Sequence, residues 1–167
     1  RNDYPDIDLD FEDKRRNEVK SYLRERWGRD NVAAITTYGT FKPKSAIKDV
    51  ARVLQVSYEE TNNITPFFET IEELMESSKG KIFCNKYPDV PKVAKRLEGR
   101  IRNAGVHAAG MVVSSIPLSE VCPIETRKET DGGERVMVTA FDMTDAEAVG
   151  LIKIDILGLK TVSVIKD

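Results

Sequence analysis

The segment Asp6–Phe11 alternates strictly between aspartate and a large apolar residue, and no other feature constrains the fold as strongly. Alternation with a period of two predicts a β-strand, because the pleat directs successive side chains to opposite faces. One face would enter a core and the other would present three carboxylates. The two sets are Asp6, Asp8 and Asp10 on one face and Ile7, Leu9 and Phe11 on the other.

Three aspartates on one face repel each other, and strands disfavour aspartate. A strand with this pattern therefore needs positive charge that offsets the repulsion. Bound divalent cations supply it, since Mg²⁺ prefers carboxylate oxygens and leaves positions for substrate phosphates. A solvent-exposed edge face with harmless charges is the alternative, and spacing alone does not decide between them. A calcium-binding EF-hand loop is excluded because Phe11 and Asn17 stand where that loop needs Gly and Glu.

A second acidic strand is predicted near the end of the chain, from Leu151 to Leu157. Ile152, Ile154 and Ile156 share one face, and Lys153 and Asp155 share the other. A carboxylate here could complete a two-metal site for phosphoryl chemistry, in which two ions lie about 4 Å apart. Lys153 could contact a phosphate or could only neutralise the acidic cluster. An ordinary exposed strand position is the alternative for Asp155.

The rest of the pattern predicts a mixed α/β (α+β) domain with a helical insertion. Apolar residues at helical spacing occur before Gly28, after Pro43 and from Val90 to Ile101, the last helix ending near 103–105. Ser57 and Thr70 resemble helix N-caps. Further strands are expected at 31–37, 111–113 and 134–141, and a short helix at 142–148. Gly158 would break the last acidic strand, and a second helix would follow it. The domain would therefore comprise about 1–37 and 111–167, with the insertion between.

Composition supports a folded chain, with 40% hydrophobic residues and a net charge of −2 over 167 residues. Near-neutral charge excludes both a disordered class and whole-chain basicity, so any nucleic-acid contact must be regional. Two stretches, 38–54 and 92–102, carry nine basic residues against two acidic ones. They predict helices lying on a phosphate backbone, although solvated amphipathic helices share this composition. The candidate contacts are Lys44, Lys48, Arg96, Arg100 and Arg102.

The cysteines, the histidine and the apolar residues exclude further classes of protein. Cys84 and Cys122 are too few for a disulfide scaffold or a cysteine-rich zinc site. His107, the single histidine, lies in a run of small residues and is more typical of a structural residue than of a metal ligand. No long apolar stretch and no secretion signal are present, so a cytoplasmic protein without a membrane span is expected. A start at Arg1 and an end in a helical pattern indicate a piece of a longer protein.

Three separated blocks of the chain resemble motifs of the bacterial C-family replicative DNA polymerases, the DNA polymerase III alpha subunits. Pro5–Phe11 is similar to the first catalytic motif, Asn103–Gly110 to a second block, and Gly150–Leu159 to the motif that holds the remaining catalytic carboxylate. The stretches 37–41 and 46–54 are similar as well. The resemblance covers nearly the whole chain in the family's order.

The resemblance implies a polymerase-beta-like nucleotidyltransferase palm in two parts, 1–37 and 111–167, with a helical thumb inserted at 38–110. The implied catalytic and metal-binding residues are Asp6, Asp8 and Asp155, with two Mg²⁺ ions, or Mn²⁺, as cofactors. Asp6 and Asp8 would hold both ions, and Asp155 the ion that activates the primer. Asp10 stays outside this set because a branch of the family has Asn there. Lys153 would contact the nucleotide or primer.

The implied reaction is attack of a primer 3′-hydroxyl on the α-phosphate of a deoxynucleoside triphosphate, releasing pyrophosphate. Implied partners are primer–template DNA, deoxynucleoside triphosphates and the remaining polymerase domains, with the sliding clamp and replisome subunits bound through regions absent here. The fragment alone would lack the fingers and be inactive. Ala140 and Val106 depart from the family's usual Gln and basic residue, which affects local substrate contacts.

Two other classes of function are compatible with the same residues. A metal-dependent nuclease or another nucleotidyltransferase could use the three carboxylates, and nucleotide incorporation by a longer polymerase would distinguish it. A catalytically incomplete DNA-binding module is the second alternative. The presence of Asp6, Asp8 and Asp155 argues against that module, because carboxylates that repel each other are readily lost without a use.

Overall fold

The computed structural model describes residues 7–128 and 135–166, and the chain divides into two compact units. One unit contains Arg1–Tyr38 and Ala104–Asp167, and the other contains Gly39–Asn103. Residues 104–110 thus belong to the first unit, although the sequence predicts them within the insertion. The reason is that the strand Ile101–Val113 carries these residues into the sheet, where its C-terminal part pairs with the strand Ile152–Leu159.

The first unit contains a mixed six-stranded sheet, which confirms the mixed α/β class. In chain order, the strands are β1 (Ile7–Glu12), β2 (Val32–Thr40), β3 (Ile101–Val113), β4 (Ile124–Lys128), β5 (Arg135–Thr139) and β6 (Ile152–Leu159). Their order across the sheet is β1-β6-β3-β2-β5-β4. β1 pairs with β6 and β2 with β5 in parallel, whereas β3 with β6 and β4 with β5 are antiparallel.

Alternating side chains along the central strands form two cores, one on each face of the sheet. On one face, helix α1 (Arg16–Trp27) contributes Val19 and Leu23 to a core with Ala34, Met111 and Ile156. The opposite core contains Ile35, Val112, Leu118 and Leu151, together with Ala146 of a later short helix. Because neighbours along a strand enter opposite cores, the register of the sheet is strongly specified.

The second unit is helical. Its helices are α2 (Pro43–Val53), α3 (Tyr58–Ile64), α4 (Ile71–Glu76), α5 (Ser78–Lys86) and α6 (Asp89–Leu97). The predicted caps are present, since the Ser57 hydroxyl accepts from the Glu60 amide and the Thr70 hydroxyl from the Glu73 amide. A buried apolar cluster joins the helices, and it includes Ile47, Val50, Ile71, Leu74, Phe83, Val90 and Ala94.

The helix predicted from Val90 to Ile101 is wrong at its C-terminal end. Helix α6 stops at Leu97, and Gly99 follows with φ +76°. A left-handed glycine just past the last turn is a common helix stop, because it avoids the Cβ penalty. Arg100 therefore lies in the bend after the helix and Arg102 in β3, so neither extends the basic helix face.

The predicted strand break at Gly158 is also wrong. Strand β6 runs through Gly158, which pairs with Phe11 of β1. A Cβ at position 158 would lie 2.4 Å from Asp13 Oδ1 and 3.1 Å from Asp13 Cα. The glycine permits a close approach of the turn after β1 rather than ending the strand.

Two helices flank the last strand in sequence, α7 (Met143–Ala148) before it and α8 (Lys160–Lys166) after it, as the pattern predicts. The Asp142 carboxylate caps α7 by accepting from the Asp145 amide. β4 has no counterpart in the prediction, because three of its five residues are charged and it pairs only with β5. Within the described ranges, no helix is long and apolar enough to span a bilayer.

Candidate active site

Asp8 and Asp155 lie directly opposite each other on adjacent strands. β1 and β6 run in parallel with the register Ile7 to Ile154, Asp8 to Asp155 and Leu9 to Ile156. Register partners on neighbouring strands leave the sheet on the same face, and the strands are about 4.8 Å apart. The two carboxylates that the sequence places 147 positions apart are therefore side by side.

The apolar face of the same two strands explains why the carboxylates share a side. Leu9, Phe11, Ile154 and Ile156 line one surface with Val19 and Leu23 of α1. A slip of one residue in β1 would turn its aspartates toward this apolar layer, where an unpaired charge is costly. The carboxylates thus take the face opposite this partly exposed apolar surface.

Asp155 has an incomplete set of partners. Its side chain is 13% exposed, and its Oδ2 accepts a hydrogen bond from Lys153 Nζ at 2.9 Å. Its other oxygen, Oδ1, is buried and has no hydrogen-bond partner among the described residues. A buried carboxylate oxygen without a partner is energetically expensive, and a bound cation would satisfy it. The donor set of oxygens suits a hard divalent ion.

The remaining predicted metal ligands differ in how the structure places them. Asp6 lies outside the described residues. Asp8 is exposed on β1, at the edge of the sheet, and Asp10 follows on the same face opposite Leu157. Within residues 7–128 and 135–166, no three acidic, histidine or cysteine side chains form a metal-binding cluster. The three-carboxylate site accordingly remains a prediction.

Lys153 is buried rather than projecting into solvent. Its side chain is 10% exposed and its ammonium group pairs with Asp155 two residues along the same strand. In this arrangement it acts as the neutralising partner that the sequence allows. Its register partner on β3 is Val112, which belongs to the apolar core on this face of the sheet.

His107 lies over Gly110, the β3 residue opposite Asp155, a placement that the sequence does not predict. Gly110 of β3 is the register partner of Asp155, and its amide donates to His107 Nδ1 at 2.6 Å. A Cβ built on Gly110 would meet Nδ1 at 2.7 Å, so the imidazole occupies the side-chain space of that glycine. The run Ala108-Ala109-Gly110 was the available signal, because small residues after a histidine let its ring fold back onto the strand.

The five basic residues predicted to contact DNA all lie in the helical unit, but they differ in their partners. Lys44 pairs with Glu69, Lys48 Nζ donates to Asn62 at 3.2 Å, and Arg102 Nε contacts Asp49 at 2.8 Å. Arg96 and Arg100 are exposed and form no ion pair within the described part of the chain. These two guanidinium groups are therefore open to solvent.

Neither cysteine provides an alternative nucleophile. Cys122 is buried in the core that contains Leu118, and Cys84 packs against the core of the helical unit. Burial raises the pKa of both thiols above the usual value. A raised pKa disfavours the reactive thiolate, so neither thiol has the character of a nucleophile.

Comparison with known proteins gives one consistent result. The family model described as the bacterial DNA polymerase III alpha NTPase domain matches residues 1–158. The chain is 41% identical to a DNA polymerase III subunit alpha of Yersinia pestis over 173 residues, 38% to that of Borreliella burgdorferi over 171, and 37% to that of Mycobacterium tuberculosis over 188. These alignments cover 98–100% of the chain but only 14–16% of each relative.

Proposed function

The chain belongs to the bacterial DNA polymerase III alpha family, and from this we propose that it forms the palm and the inserted thumb of a DNA-directed DNA polymerase. The sheet unit would be a polymerase-beta-like nucleotidyltransferase palm, and the helical unit Gly39–Asn103 would be the thumb. The proposed reaction is template-directed transfer of a deoxynucleotide to a primer 3′-hydroxyl during DNA replication. The much longer relatives imply that other segments complete the enzyme.

The observation that carries this proposal is the pairing of Asp8 with Asp155 across two parallel strands. Two carboxylates at one level of a sheet suit a shared divalent cation, and Oδ1 of Asp155, which has no hydrogen-bond partner among the described residues, offers a further oxygen ligand. Mg²⁺, or Mn²⁺ in its place, fits this oxygen donor set. Asp6, two residues before Asp8 and on the same face of the predicted strand, would be the third ligand.

The chain's own residues supply position and charge for this chemistry. Asp8 and Asp155 would hold the cations, and Lys153 orients the Asp155 carboxylate through its hydrogen bond. Bound divalent cations stabilise the charge that develops on the attacking and leaving oxygens. Leu9, Ile154 and Ile156 line the opposite, apolar face of the two strands, and the strand pairing sets the separation of the carboxylates.

The proposed partners follow from the same assignment. Primer–template DNA and deoxynucleoside triphosphates would bind on the carboxylate face, where Lys153 adds a positive charge close to the phosphates. Arg96 and Arg100 of the helical unit would contact the DNA backbone without reading bases. The sliding clamp and other replisome subunits would bind through segments beyond this chain.

Substitution of Asp155 in the full-length polymerase tests the proposal. We expect Asp155→Asn to reduce primer extension by about a hundredfold or more, on the order of 3 kcal/mol, because a metal ligand is lost while shape is kept. Glu120→Gln, an exposed carboxylate of the same unit, is the matched control and should extend normally. Wild-type extension by Asp155→Asn would refute the assignment.

The same assay separates the polymerase from the nuclease alternative. A labelled primer incubated with template, Mg²⁺ and one deoxynucleoside triphosphate should lengthen by the complementary nucleotide. Shortening of the primer that Asp155→Asn abolishes would instead identify a nuclease built on the same carboxylates. Binding of DNA without either product would favour the non-catalytic module.

A further inference from the structure

His107 has an unusual position that the proposed reaction does not yet use. Its imidazole lies over Gly110, with Nδ1 2.6 Å from the Gly110 amide nitrogen. Gly110 is the β3 partner of Asp155, so β1, β6 and β3 carry Asp8, Asp155 and the histidine ring in one row. Side chains of directly opposed antiparallel residues lie about 5 Å apart, so the ring is a close neighbour of the Asp155 carboxylate.

A change in strand alternation supports this placement. Val106 and Met111 both contact the core on the α1 side of the sheet, although they are an odd number of residues apart. The alternation of side chains is therefore interrupted between them, as at a bulge, and bulges commonly redirect a side chain next to a functional site. Because of the interruption, His107 and Gly110 both face the carboxylate side.

The hydrogen bond to Gly110 fixes the chemistry of the ring. Nδ1 accepts the amide hydrogen, so it carries no proton, and the neutral imidazole must hold its proton on Nε2. Nε2–H is then a hydrogen-bond donor, and Nδ1 is unavailable as a metal ligand. The partly exposed ring consequently presents a donor on a face crowded with carboxylates. Its natural partner is an anionic oxygen brought by a ligand.

We propose that His107 is a substrate-binding residue that donates its Nε2–H to a phosphate oxygen of the nucleotide or of the primer end. This inference rests on the proposed polymerase function, which supplies an anionic phosphate on the carboxylate face. Lys153 is occupied with Asp155, so His107 adds a donor that does not compete for the same carboxylate. The Gly110 amide keeps the ring oriented before any ligand arrives, which reduces the entropic cost of binding.

Three variants of the full-length polymerase distinguish the effect of the hydrogen-bond donor from the effect of the shape of the ring. His107→Gln keeps a donor and an acceptor, His107→Phe keeps the ring over Gly110 but has no polar atom, and His107→Ala removes both. The measurements are KM for the complementary deoxynucleoside triphosphate, kcat, and Kd for primer–template DNA by fluorescence anisotropy without nucleotide. Circular dichroism melting of each variant checks folding.

We expect His107→Phe and His107→Ala to raise either KM for nucleotide or Kd for DNA about tenfold, while His107→Gln stays near wild type. A rise in KM assigns the contact to the nucleotide, and a rise in Kd assigns it to the primer. The proposal is overturned if both constants stay within about twofold of wild type, or if His107→Gln loses as much as His107→Phe. Failure of both apolar variants to fold would assign a structural role and overturn it too.

The failure of this inference can be told apart from failure of the proposed function. If Asp155→Asn abolishes extension while the His107 variants bind normally, only the histidine assignment is lost. If Asp155→Asn extends primers like wild type, the polymerase site itself is misassigned. Measuring both sets of variants side by side shows which of the two proposals has failed.

Discussion

Lys153 Nζ donates a 2.9 Å hydrogen bond to Asp155 Oδ2, and the two side chains are only 10% and 13% exposed. The pair lies two residues apart on one strand, so both groups emerge from the same face of the sheet. The lysine neutralises one oxygen of the carboxylate while the other oxygen remains unpartnered among the described residues. The charge of the carboxylate is thus partly compensated by the protein's own lysine.

Removal of the lysine should therefore destabilise the protein. We expect Lys153→Met to lower the free energy of unfolding by roughly 3 kcal/mol in urea titrations without divalent ions, because a buried carboxylate loses its partner. Millimolar Mg²⁺ should restore part of that loss by binding the freed carboxylate. Lys160→Met, an exposed lysine of α8, is the control. Equal losses in the two variants would contradict the buried pair.

A bound divalent ion should stabilise the folded protein independently of catalysis. Thermal melting of the chain should shift upward with added Mg²⁺ or Mn²⁺, since a ligand that prefers the folded state stabilises it by mass action. Asp155→Asn should abolish most of this shift, while Glu120→Gln should keep it. An identical shift in both variants would place the cation elsewhere.

Asp8 is the second carboxylate whose loss should stop the reaction. In the full-length polymerase, we expect Asp8→Ala to abolish primer extension while leaving DNA affinity nearly intact, because a metal ligand acts in the transition state. Single-turnover extension and anisotropy measure the two quantities. Retention of more than about a tenth of wild-type turnover, roughly 1.4 kcal/mol of lost stabilisation, would contradict this role.

The exposed arginines of the helical unit should set the salt dependence of DNA binding. Removing a side chain that binds one phosphate reduces the slope of log affinity against log salt by about one. We expect Arg96→Ala combined with Arg100→Ala in the full-length polymerase to reduce the slope by about two. Lys44→Ala should reduce it less, because Lys44 already pairs with Glu69. An unchanged slope in the double variant would identify a solvated surface.

Low pH should reduce the folding stability of the helical unit, because Glu60 becomes protonated. The Lys86 ammonium, hydrogen-bonded to this carboxylate at 2.5 Å, and then the Tyr87 hydroxyl at 2.6 Å hold the pKa of Glu60 below its usual value of 4.5. A carboxyl whose folded pKa is depressed contributes stability above its unfolded pKa and loses it as the pH falls through the folded value.

Unfolding of the Glu60→Gln variant should consequently depend less steeply on pH below about 4.5 than that of the wild type. Glu59→Gln, a neighbouring exposed glutamate, is the matched control. Urea titrations between neutral pH and about pH 3 provide the measurement. If both variants follow the wild-type curve, the contacts of Glu60 do not persist in solution.

The two acidic strands of the candidate site could be predicted from the sequence. The alternation at Asp6–Phe11 predicted the acidic strand, and the pattern from Leu151 to Leu157 predicted the second strand with its two faces. Periodicity can do this because the choice of face is a local property, set by neighbours one or two positions away. The resemblance of three blocks then indicated a polymerase family, which the family match over residues 1–158 confirms.

The error at Gly99 had a local signal, and the other two fall where the local pattern carries little information. Helix α6 ends at Leu97 because Gly99 adopts a left-handed conformation, and strand β6 continues through Gly158 because the turn at Asp13 packs against it. β4, with mostly charged residues, is a strand only because β5 pairs with it. In the last two cases pairing with another strand fixes the outcome, and for β6 that strand is distant in sequence, so the residues of the segment itself cannot reveal it.

The sequence by itself thus determined which segments form strands and which side chains share a face, but not which strands pair. The pairing of Asp8 with Asp155, and of Asp155 with Gly110 and hence with the His107 ring, depends on the register of three strands far apart in the chain. Register follows from burying apolar faces on both sides of a folded sheet, and that free energy exists only once distant segments have met. The sequence identifies the acidic residues, whereas the strand pairing of the folded protein brings Asp8 and Asp155 side by side.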